Sequence, residues 1–456
     1  MNKDFDLGWN LLEGQTPYFI KPIELSSREK RILSLLLERL LQNPSVQMEV
    51  ALRELCGEKN IVLERVAGGK LVAIAKKCVE GFGVLDFILA DDEVEEISVI
   101  GVNKPIFVFH RSRGWLESNA LFTSQEHAVD TINKIARPLG RRVSFQNPRL
   151  NAFLPDGSRL HASLAPICLN GVELTIRKFK KQPFTAKQLA SLGTFSLDAL
   201  AFLWTVLFAD VSLCIAGNTG SGKTTTLNAL FSFIPLGERI VVTEETPELN
   251  LVQEHVVKII ANDELGITMK DLVKDTLRMR PDRIVIGEVR SRDEAHALFD
   301  SLLAGQAKGS CFTMHANSSA EVLQRLRAFG IAQEDLNAID LVLVQKRISF
   351  FDKCMREQKE LRRVTELAEI TDGKPRVLFY LNPRSGFLEK TTLLRKSRLV
   401  QKVLQNYSFT EKEFWNEVFR RKKFLERTSN ETEFKTFTEQ VQDFAFSKER
   451  PAVVLE

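Results

Sequence analysis

A glycine-rich segment in the middle of the chain has the residue types and spacing that bind a nucleotide phosphate. Residues 217–224 read Gly-Asn-Thr-Gly-Ser-Gly-Lys-Thr, which fits the pattern GxxxxGK[ST] between an apolar run and a helical one. Backbone N–H groups of such a loop turn inward around a phosphate, and the next helix adds the positive end of its dipole. Lys223 can reach the β- and γ-phosphates, and the Thr224 hydroxyl can bind Mg²⁺. The predicted nucleotide-binding residues are Gly217, Asn218, Thr219, Gly220, Ser221, Gly222, Lys223, Thr224 and Thr225.

Hydrolysis of a bound nucleotide needs further groups. A water must be held in line with the γ-phosphate, and the negative charge on the transferred phosphoryl group must be compensated. Acidic residues follow two apolar runs directly: Glu244, Glu245, Glu248 and Glu288. The carboxyl ends of parallel strands line the ligand crevice of an open sheet, so these acids are expected near the phosphate loop. His315 ends a third apolar run and could hydrogen-bond the γ-phosphate. For each residue, an exposed strand-end acid or a structural histidine remains the alternative.

The elements that would position these residues alternate regularly. From 183 to 380, strand-like runs alternate with helix-like runs, which predicts βαβ units and a largely parallel sheet in an α/β domain. Residues 1–85 read as mainly helical, 86–182 as a small α+β domain, and 381–456 as a charged helical C-terminal region. The basic segment KFKKQPF, residues 178–184, is suited to a linker.

Composition excludes several classes of protein. The 456 residues are 44% hydrophobic and 27% charged, which is typical of soluble globular chains. Lys plus Arg is 63 and Asp plus Glu is 59, and a net charge of +4 does not by itself indicate nucleic acid.

The first residues carry no apolar signal-peptide core, so a cytoplasmic location is predicted. The apolar stretch 201–217 is interrupted by Asp210 and reads as a buried helix entering a strand. Six scattered cysteines, without a CxxC pair, predict no zinc site: 56, 78, 168, 214, 311 and 354.

The order of the motifs resembles the secretion ATPase superfamily. The resemblance rests on GNTGSGKTTTLNAL, TEETPELNL, LRMRPDRIVIGEVR and AGQAKGSCFTMHANS, and on DDEVEEISVIGVNKPIFVFHR and LPDGSRLHASLAP further upstream. That superfamily contains the motors of type II and type IV secretion, type IV pilus assembly and the archaellum. The archaeal-type branch fits best, because the four-cysteine zinc module of bacterial type II members is absent here. A RecA-like P-loop NTPase domain is therefore implied.

The resemblance also implies roles for individual residues. It makes 217–224 the Walker A loop, Glu244 the glutamate of the acidic Asp box, and His315 a member of the His box. Glu288 becomes the Walker B glutamate, which would polarise the attacking water and contact Mg²⁺ through water. Arg159 and Arg177 match arginines that reach a nucleotide across a domain or subunit boundary. Arg278, Arg280 and Arg290 are secondary candidates on either side of the Walker B strand.

Three departures from the family pattern accompany these assignments. Gly287 stands where an ordinary Walker B strand has aspartate, as it does throughout the family, so Mg²⁺ would rely on Thr224 and water. Glu245 replaces the usual aspartate of the Asp box. The segment AGQAKGS lacks the usual His-box histidine, which leaves His315 alone.

The implied function is a Mg²⁺-dependent, cytoplasmic ATPase that forms a ring, most simply a homohexamer, at the inner face of the membrane. ATP would bind between the α+β and RecA-like domains, and hydrolysis would push a polytopic membrane platform protein that assembles a pilus-like filament or secretes protein. The alternatives are a DNA-translocating motor, which the few Tyr and Trp residues disfavour, and a non-hydrolysing scaffold. A basic C-terminal stretch around Trp415, Phe419 and 420–423 could contact anionic membrane or pack on its own core. The cargo and the direction of the motor are left open.

Overall fold

The computed structural model describes residues 8–12, 14, 16–21, 25–43, 45–154, 156–179, 183–262, 265–305, 307, 309–352 and 357–446. The side chains of residues 139, 350–352 and 357–359 lie outside this description. Also outside it are 180–182 of the predicted linker, Cys354 and both chain ends, on which the signal-peptide prediction and the end of the C-terminal region fall. The chain divides into two compact units, Met1–Lys180 and Lys181–Glu456. The finer boundaries at 85 and 380 stay predictions.

The first three helices of the first unit form an apolar cluster of their own. The helices of this unit are α1 (Ser27–Gln42), α2 (Met48–Glu58), α3 (Arg65–Val79), α4 (Leu85–Leu89) and α5 (Gln125–Ala136). The Ser26 side chain caps α1 and Glu29 returns the bond to Ser26, which completes a capping box. Leu36 and Leu71 are fully buried where α1–α3 pack together. Helices α1–α3 therefore have a core separate from that of the strands that follow.

An antiparallel sheet makes up the rest of the first unit. Its strands are β1 (Trp9–Leu11), β2 (Val94–Val99), β3 (Pro105–His110), β4 (Gly114–Phe122), β5 (Arg149–Phe153), β6 (Arg159–Leu164) and β7 (Val172–Arg177). Within the described residues their order is β1-β4-β3-β2-β7-β6-β5. Leu160, Leu174 and Ile176 are buried in the apolar cluster that includes residues of α5. The alternate positions are more exposed, and among them Arg159 lies directly opposite Arg177.

The second unit carries the predicted alternation of strands and helices. Its first part comprises α6 (Ala186–Ser191), α7 (Leu197–Leu207), β8 (Leu213–Gly217), α8 (Lys223–Phe231), β9 (Ile240–Glu244), β10 (Val256–Ile260), α9 (Met269–Thr276), β11 (Arg283–Ile286), α10 (Arg292–Leu303), β12 (Gly309–Met314) and α11 (Ser319–Ala328). Its second part comprises β13 (Leu341–Asp352), β14 (Glu357–Thr371), β15 (Lys374–Leu381), β16 (Leu388–Lys390), α12 (Arg398–Tyr407), α13 (Glu411–Arg427) and α14 (Phe434–Phe446). Short 3₁₀ helices occur at Arg137–Leu139, Asp335–Ala338 and Thr392–Lys396.

A mixed sheet forms the centre of this unit. Across the described residues the strand order is β10-β9-β11-β12-β8-β13-β14-β15-β16. Neighbours from β10 to β13 run parallel, and β13 to β16 are antiparallel. Apolar clusters cover both faces, one with residues of α7 and α8 and the other with residues of α9, α10 and α11. The predicted α/β fold with a mainly parallel sheet is confirmed. The phosphate loop follows the central strand β8.

The C-terminal helices belong to the core of the second unit. Phe414, Leu425 and Phe437 are buried with residues of α7. Even Arg421 is only 6% exposed, and it donates a 2.7 Å hydrogen bond to the carbonyl of Trp204. The four basic side chains at 420–423 all pair with acids: Arg420 and Arg421 with Glu417, Lys422 with Asp198, and Lys423 with Glu426. Helix α13 thus packs on the apolar core of the second unit, while Phe419 remains 58% exposed. No described helix has both the length and the apolar character needed to cross a membrane.

Candidate nucleotide site

The glycine-rich loop joins β8 to α8 with backbone angles that favour glycine. Gly220 and Gly222 have φ values of +71° and +92°, in the left-handed region that L-residues with side chains avoid. At Gly217 a Cβ atom would lie 2.0 Å from the carbonyl oxygen of Gln345 in the neighbouring strand. The glycines of the pattern therefore meet two needs, which are the turn of the loop and its close approach to β13.

Lys223 is the first residue of α8, and its side chain folds back over the loop. Its Nζ donates to the carbonyl oxygens of Gly217 at 3.3 Å and Asn218 at 3.5 Å. Burial lowers the pKa of Lys223, while the carboxylates of Glu288 and Glu248 oppose that shift. A lysine held in the loop with acids nearby has the position and charge to bind a phosphate.

Two acids, Glu244 at the end of β9 and Glu248 in the turn that follows, lie near Thr224. The Thr224 hydroxyl donates to Glu248 Oε2 at 2.9 Å. Glu244 Oε1 accepts the backbone N–H of Glu248 at 2.9 Å and that of Leu249 at 3.0 Å. Glu244 is 3% exposed, and burial raises its pKa to about 7. Glu244 therefore fixes the turn through two backbone N–H groups, and Glu248 is the acid that contacts Thr224, the predicted Mg²⁺ ligand.

Gly287 follows β11, and its lack of a side chain leaves space for Glu244 on the adjacent strand. A Cβ atom at this position would lie 3.1 Å from Glu244 Cγ and 3.3 Å from the carbonyl oxygen of Thr243. The Thr313 hydroxyl also donates to the Gly287 carbonyl at 2.6 Å. An aspartate side chain would crowd Glu244 here, because Glu244 on the adjacent strand already fills the space beside this position.

Glu288 lies at the centre of a charged chain at the same edge of the sheet. His315 Nε2 is 2.8 Å from Glu288 Oε1, and Arg290 Nε and an Arg290 terminal nitrogen lie 2.8 and 2.6 Å from Glu288 Oε2. Arg290 also pairs with Glu245, the residue that replaces the usual aspartate. Both oxygens of Glu288 therefore have a nitrogen nearby, and His315 and Arg290 limit where its carboxylate can turn.

The other predicted arginines belong to other elements of the fold. Arg159 and Arg177 are cross-strand neighbours on an exposed face of the first unit. Arg278 and Arg280 come before β11, at the end of that strand opposite to Glu288, and the Arg278 side chain is 86% exposed beside Asp275. Of the three secondary candidates, the structure brings only Arg290 to Glu288, because only Arg290 follows the carboxyl end of β11.

Three residues that the motifs did not indicate contact the loop from β13 and β14: Gln345, Arg347 and Arg362. Gln345 follows the apolar run 341–344, so the strand-end argument that selected Glu288 applies to it equally. Arg362 had no such signal, because its position depends on the antiparallel register of β14 against β13.

Comparisons with known proteins point in one direction. The model of the family "Type II/IV secretion system protein" matches residues 107–410. An uncharacterized protein of Methanocaldococcus jannaschii is 45% identical over 235 residues, covering 49% of this chain and 32% of that protein. A second M. jannaschii protein is covered over 54%, so the matches span between a third and about half of these two relatives. A putative conjugal transfer protein of Mycobacterium tuberculosis is 30% identical, over 65% of this chain and 86% of its own.

A solved structure is also similar. The ATPase DotB of Legionella pneumophila is 18% identical with a TM-score of 0.47, over 75% of this chain and 86% of that chain.

Proposed function

The chain belongs to the type II/IV secretion system protein family, and from that premise we propose that it is the ATP-hydrolysing motor of such a system. The observation that supports this most directly is the convergence at one sheet edge. Lys223 and Thr224 in the phosphate loop lie beside acids from two other segments, Glu248 on Thr224 and Glu288 next to Arg290, and a third segment brings His315 to Glu288. A loop that only bound nucleotide would not need this arrangement.

Thr224 and the acids near it suit Mg²⁺. The hydroxyl oxygen and the Glu248 carboxylate are 2.9 Å apart, and oxygen ligands of this kind are those Mg²⁺ prefers. Thr224 would bind the ion directly, Glu288 through water as the sequence predicts, and Glu248 from the Asp-box side. When bound with ATP, the ion neutralises charge on the phosphates.

In hydrolysis, the oxygen of a water attacks the γ-phosphorus and the bond to the β–γ bridging oxygen breaks, which yields ADP and phosphate. Glu288 takes a proton from that water. Arg290 donates to Glu288 Oε2, and Oε1 accepts no hydrogen bond from the described residues, so Oε1 would be the oxygen that accepts the proton. Lys223 and the loop N–H groups bind the phosphate oxygens.

Arg159 and Arg177 are proposed to complete the site across a domain or subunit boundary. Their positions on adjacent strands present two guanidinium groups from one exposed face. Cations of this kind stabilise the charge on a transferred phosphoryl group. A ring, most simply a homohexamer, would supply such a boundary at each nucleotide.

The motor is proposed to work in the cytoplasm at the inner face of the membrane. Its closing and opening would push a polytopic platform protein, for assembly of a pilus-like filament or for secretion of protein. Contact with anionic lipid would fall to Phe419 and its exposed surroundings, because the cations at 420–423 already pair with acids. A DNA-translocating motor is the second candidate, since a relative is named a putative conjugal transfer protein.

Phosphate release from ATP by the full chain tests the proposal. We expect Mg²⁺-dependent turnover that Lys223→Ala abolishes and that Arg159→Ala and Arg177→Ala each reduce by on the order of 10²-fold or more. Lys270→Ala, at the Asp293 ion pair, is the control and should retain turnover. Wild-type turnover no greater than that of Lys223→Ala would overturn the motor and favour a scaffold. Strong stimulation by single-stranded DNA would favour the DNA motor.

A further inference from the structure

The β13–β14 hairpin contacts the phosphate loop through hydrogen bonds, on the side of β8 opposite to β12. Gln345 is buried and bonds twice: its Nε2 donates to the Ser221 carbonyl at 2.7 Å, and its Oε1 accepts from the Thr226 hydroxyl at 2.6 Å. These bonds tie β13 both to the loop and to the first turn of α8. Gln345 therefore fixes the end of the loop nearest the helix.

Two arginines of the hairpin continue this contact along the loop. The Arg347 backbone N–H donates to Asn218 Oδ1 at 2.9 Å, and Asn218 Nδ2 donates to the Arg347 carbonyl at 3.1 Å. From the next strand, Arg362 Nε donates to the Gly220 carbonyl at 2.9 Å. The loop residues Asn218, Gly220 and Ser221 thus each have a hydrogen-bond partner on the hairpin.

The bond from Arg362 sets the direction of a peptide group. In a planar trans peptide the carbonyl and the following N–H point in opposite directions. Because Arg362 draws the Gly220 carbonyl towards the hairpin, the Ser221 N–H points away from the hairpin and across the loop, where it donates to the Asn218 carbonyl oxygen at 3.2 Å. Gln345 acts in the same way on the Ser221 carbonyl and the Gly222 N–H. N–H groups that converge inside a loop bind anions.

The hairpin also adds charge. Arg347 forms a two-point ion pair with Glu360, at 2.9 and 2.6 Å, and packs against Gly220. Arg362 is bonded to a neutral carbonyl instead. The charges of Arg347, Glu360 and Arg362 sum to one positive charge beside the loop. That charge favours a polyanionic ligand such as a nucleoside triphosphate.

We propose that Arg362 is a positioning residue for phosphate binding: its bond to the Gly220 carbonyl holds the loop with its N–H groups turned inward. It acts through the loop backbone and not on the reacting atoms. The proposal rests on the proposed function, since it assigns Arg362 to the same nucleotide site. It requires that the loss of Arg362 weaken the binding of ADP and ATP alike, because both carry the phosphates that the loop holds.

The neighbouring residue supplies a matched control. Arg363 lies on the same strand, and its guanidinium donates to the Leu192 carbonyl at 2.6 Å, at the end of α6 and outside the phosphate loop. The experiment measures equilibrium binding of a fluorescent ADP analogue and of ATP by competition, with the full chain and Mg²⁺. The variants are Arg362→Ala, Arg362→Lys and Arg363→Ala, and thermal unfolding without nucleotide checks that each is folded.

Arg362→Ala should weaken both nucleotides about tenfold, the typical cost of a hydrogen bond from a charged group. Arg362→Lys should recover part of this loss because it keeps a charged donor, and Arg363→Ala should bind as wild type does. At saturating ATP, kcat of Arg362→Ala should stay within about threefold of wild type. Unchanged binding by Arg362→Ala, or equal losses in the two alanine variants, would overturn the proposal.

Failure of the proposed function would look different. A wild-type chain that binds ADP without hydrolysing ATP would remove the motor and leave the role of Arg362 decided by the binding data. A wild-type chain that binds no nucleotide would overturn both.

Discussion

The two sides of the central strand β8 carry different chemistry. The acidic flank, formed by β9, β11, β12 and the residues that follow them, contributes Glu244, Glu288 and His315. The hairpin flank, formed by β13 and β14, contributes Gln345 and Arg362. Carboxylate and imidazole groups can accept a proton, whereas a neutral side-chain amide and a guanidinium do not. Under the proposed function, this difference assigns proton transfer to one side of the loop and the shape of the loop to the other.

The largest expected effect is on the acidic flank. Glu288→Gln keeps the size of the side chain and removes its ability to take a proton. We expect kcat to fall by about 10²–10⁴-fold, with ATP affinity within about threefold of wild type. Single-turnover hydrolysis and nucleotide binding on the same preparations measure the two quantities. If affinity fell as much as kcat, the separation of roles between the flanks would be lost.

Glu244 should give the acidic flank a pH-dependent stability. Burial raises its pKa from 4.5 to about 7, so between these values the folded chain binds a proton that the unfolded chain has released. This contribution is fully present below the lower pKa and is lost as the pH rises through about 7. We expect it to change by on the order of 3 kcal/mol. Urea unfolding at several pH values should show a smaller decline for Glu244→Gln than for wild type.

The matching experiment on the hairpin flank is Arg362→Gln, which should leave the pH dependence of unfolding unchanged. A steep pH profile in Glu244→Gln, equal to that of wild type, would contradict the role of this carboxyl group.

A smaller effect is expected at Gln345, the buried residue of the hairpin flank. Gln345→Leu leaves the Ser221 carbonyl and the Thr226 hydroxyl without this partner, which should cost about 1–3 kcal/mol of unfolding free energy. Nucleotide affinity should fall as well, because the loop loses a support. The control is Gln442→Leu, since buried Gln442 likewise donates to backbone carbonyls, those of Ser232 and Ile234. That variant should lose stability and keep its affinity; equal affinities for both variants would argue against a support.

The smallest effect is expected at the exposed end of the hairpin flank. The ion pair with Arg347 lowers the pKa of Glu360. Exposed pairs contribute little, so Glu360→Gln should change the unfolding free energy by less than about 1 kcal/mol and ADP affinity by less than about threefold. Isothermal titration with ADP measures the second value. A tenfold change would move the main contribution on this flank from Arg362 to Arg347.

The sequence predicted the acidic flank better than the hairpin flank. A phosphate-loop pattern after an apolar run, and acids after the next two runs, place Glu244 and Glu288 by the geometry of parallel strands alone. Arg362 follows no such rule, because its contact depends on the register between β13 and β14, which shifts between Val344 and Gln345. Arg421 was equally unpredictable: within a run of four cations it is the buried one, since it faces Trp204. Patterns locate strand ends, while contacts across antiparallel pairs and between helices require the folded chain.

Trp204 gives the packed C-terminal helices an optical signature. Its indole stacks on Phe233 at 5.1 Å, lies edge-on to Phe424 at 5.5 Å, and has the Arg421 guanidinium 5.0 Å above it. Release of α13 from this aromatic cluster would expose the fully buried Trp204 to water and remove the Arg421 cation from its ring. Its emission would shift to longer wavelength, so Trp204 would report whether the last helices stay docked during turnover of the proposed motor.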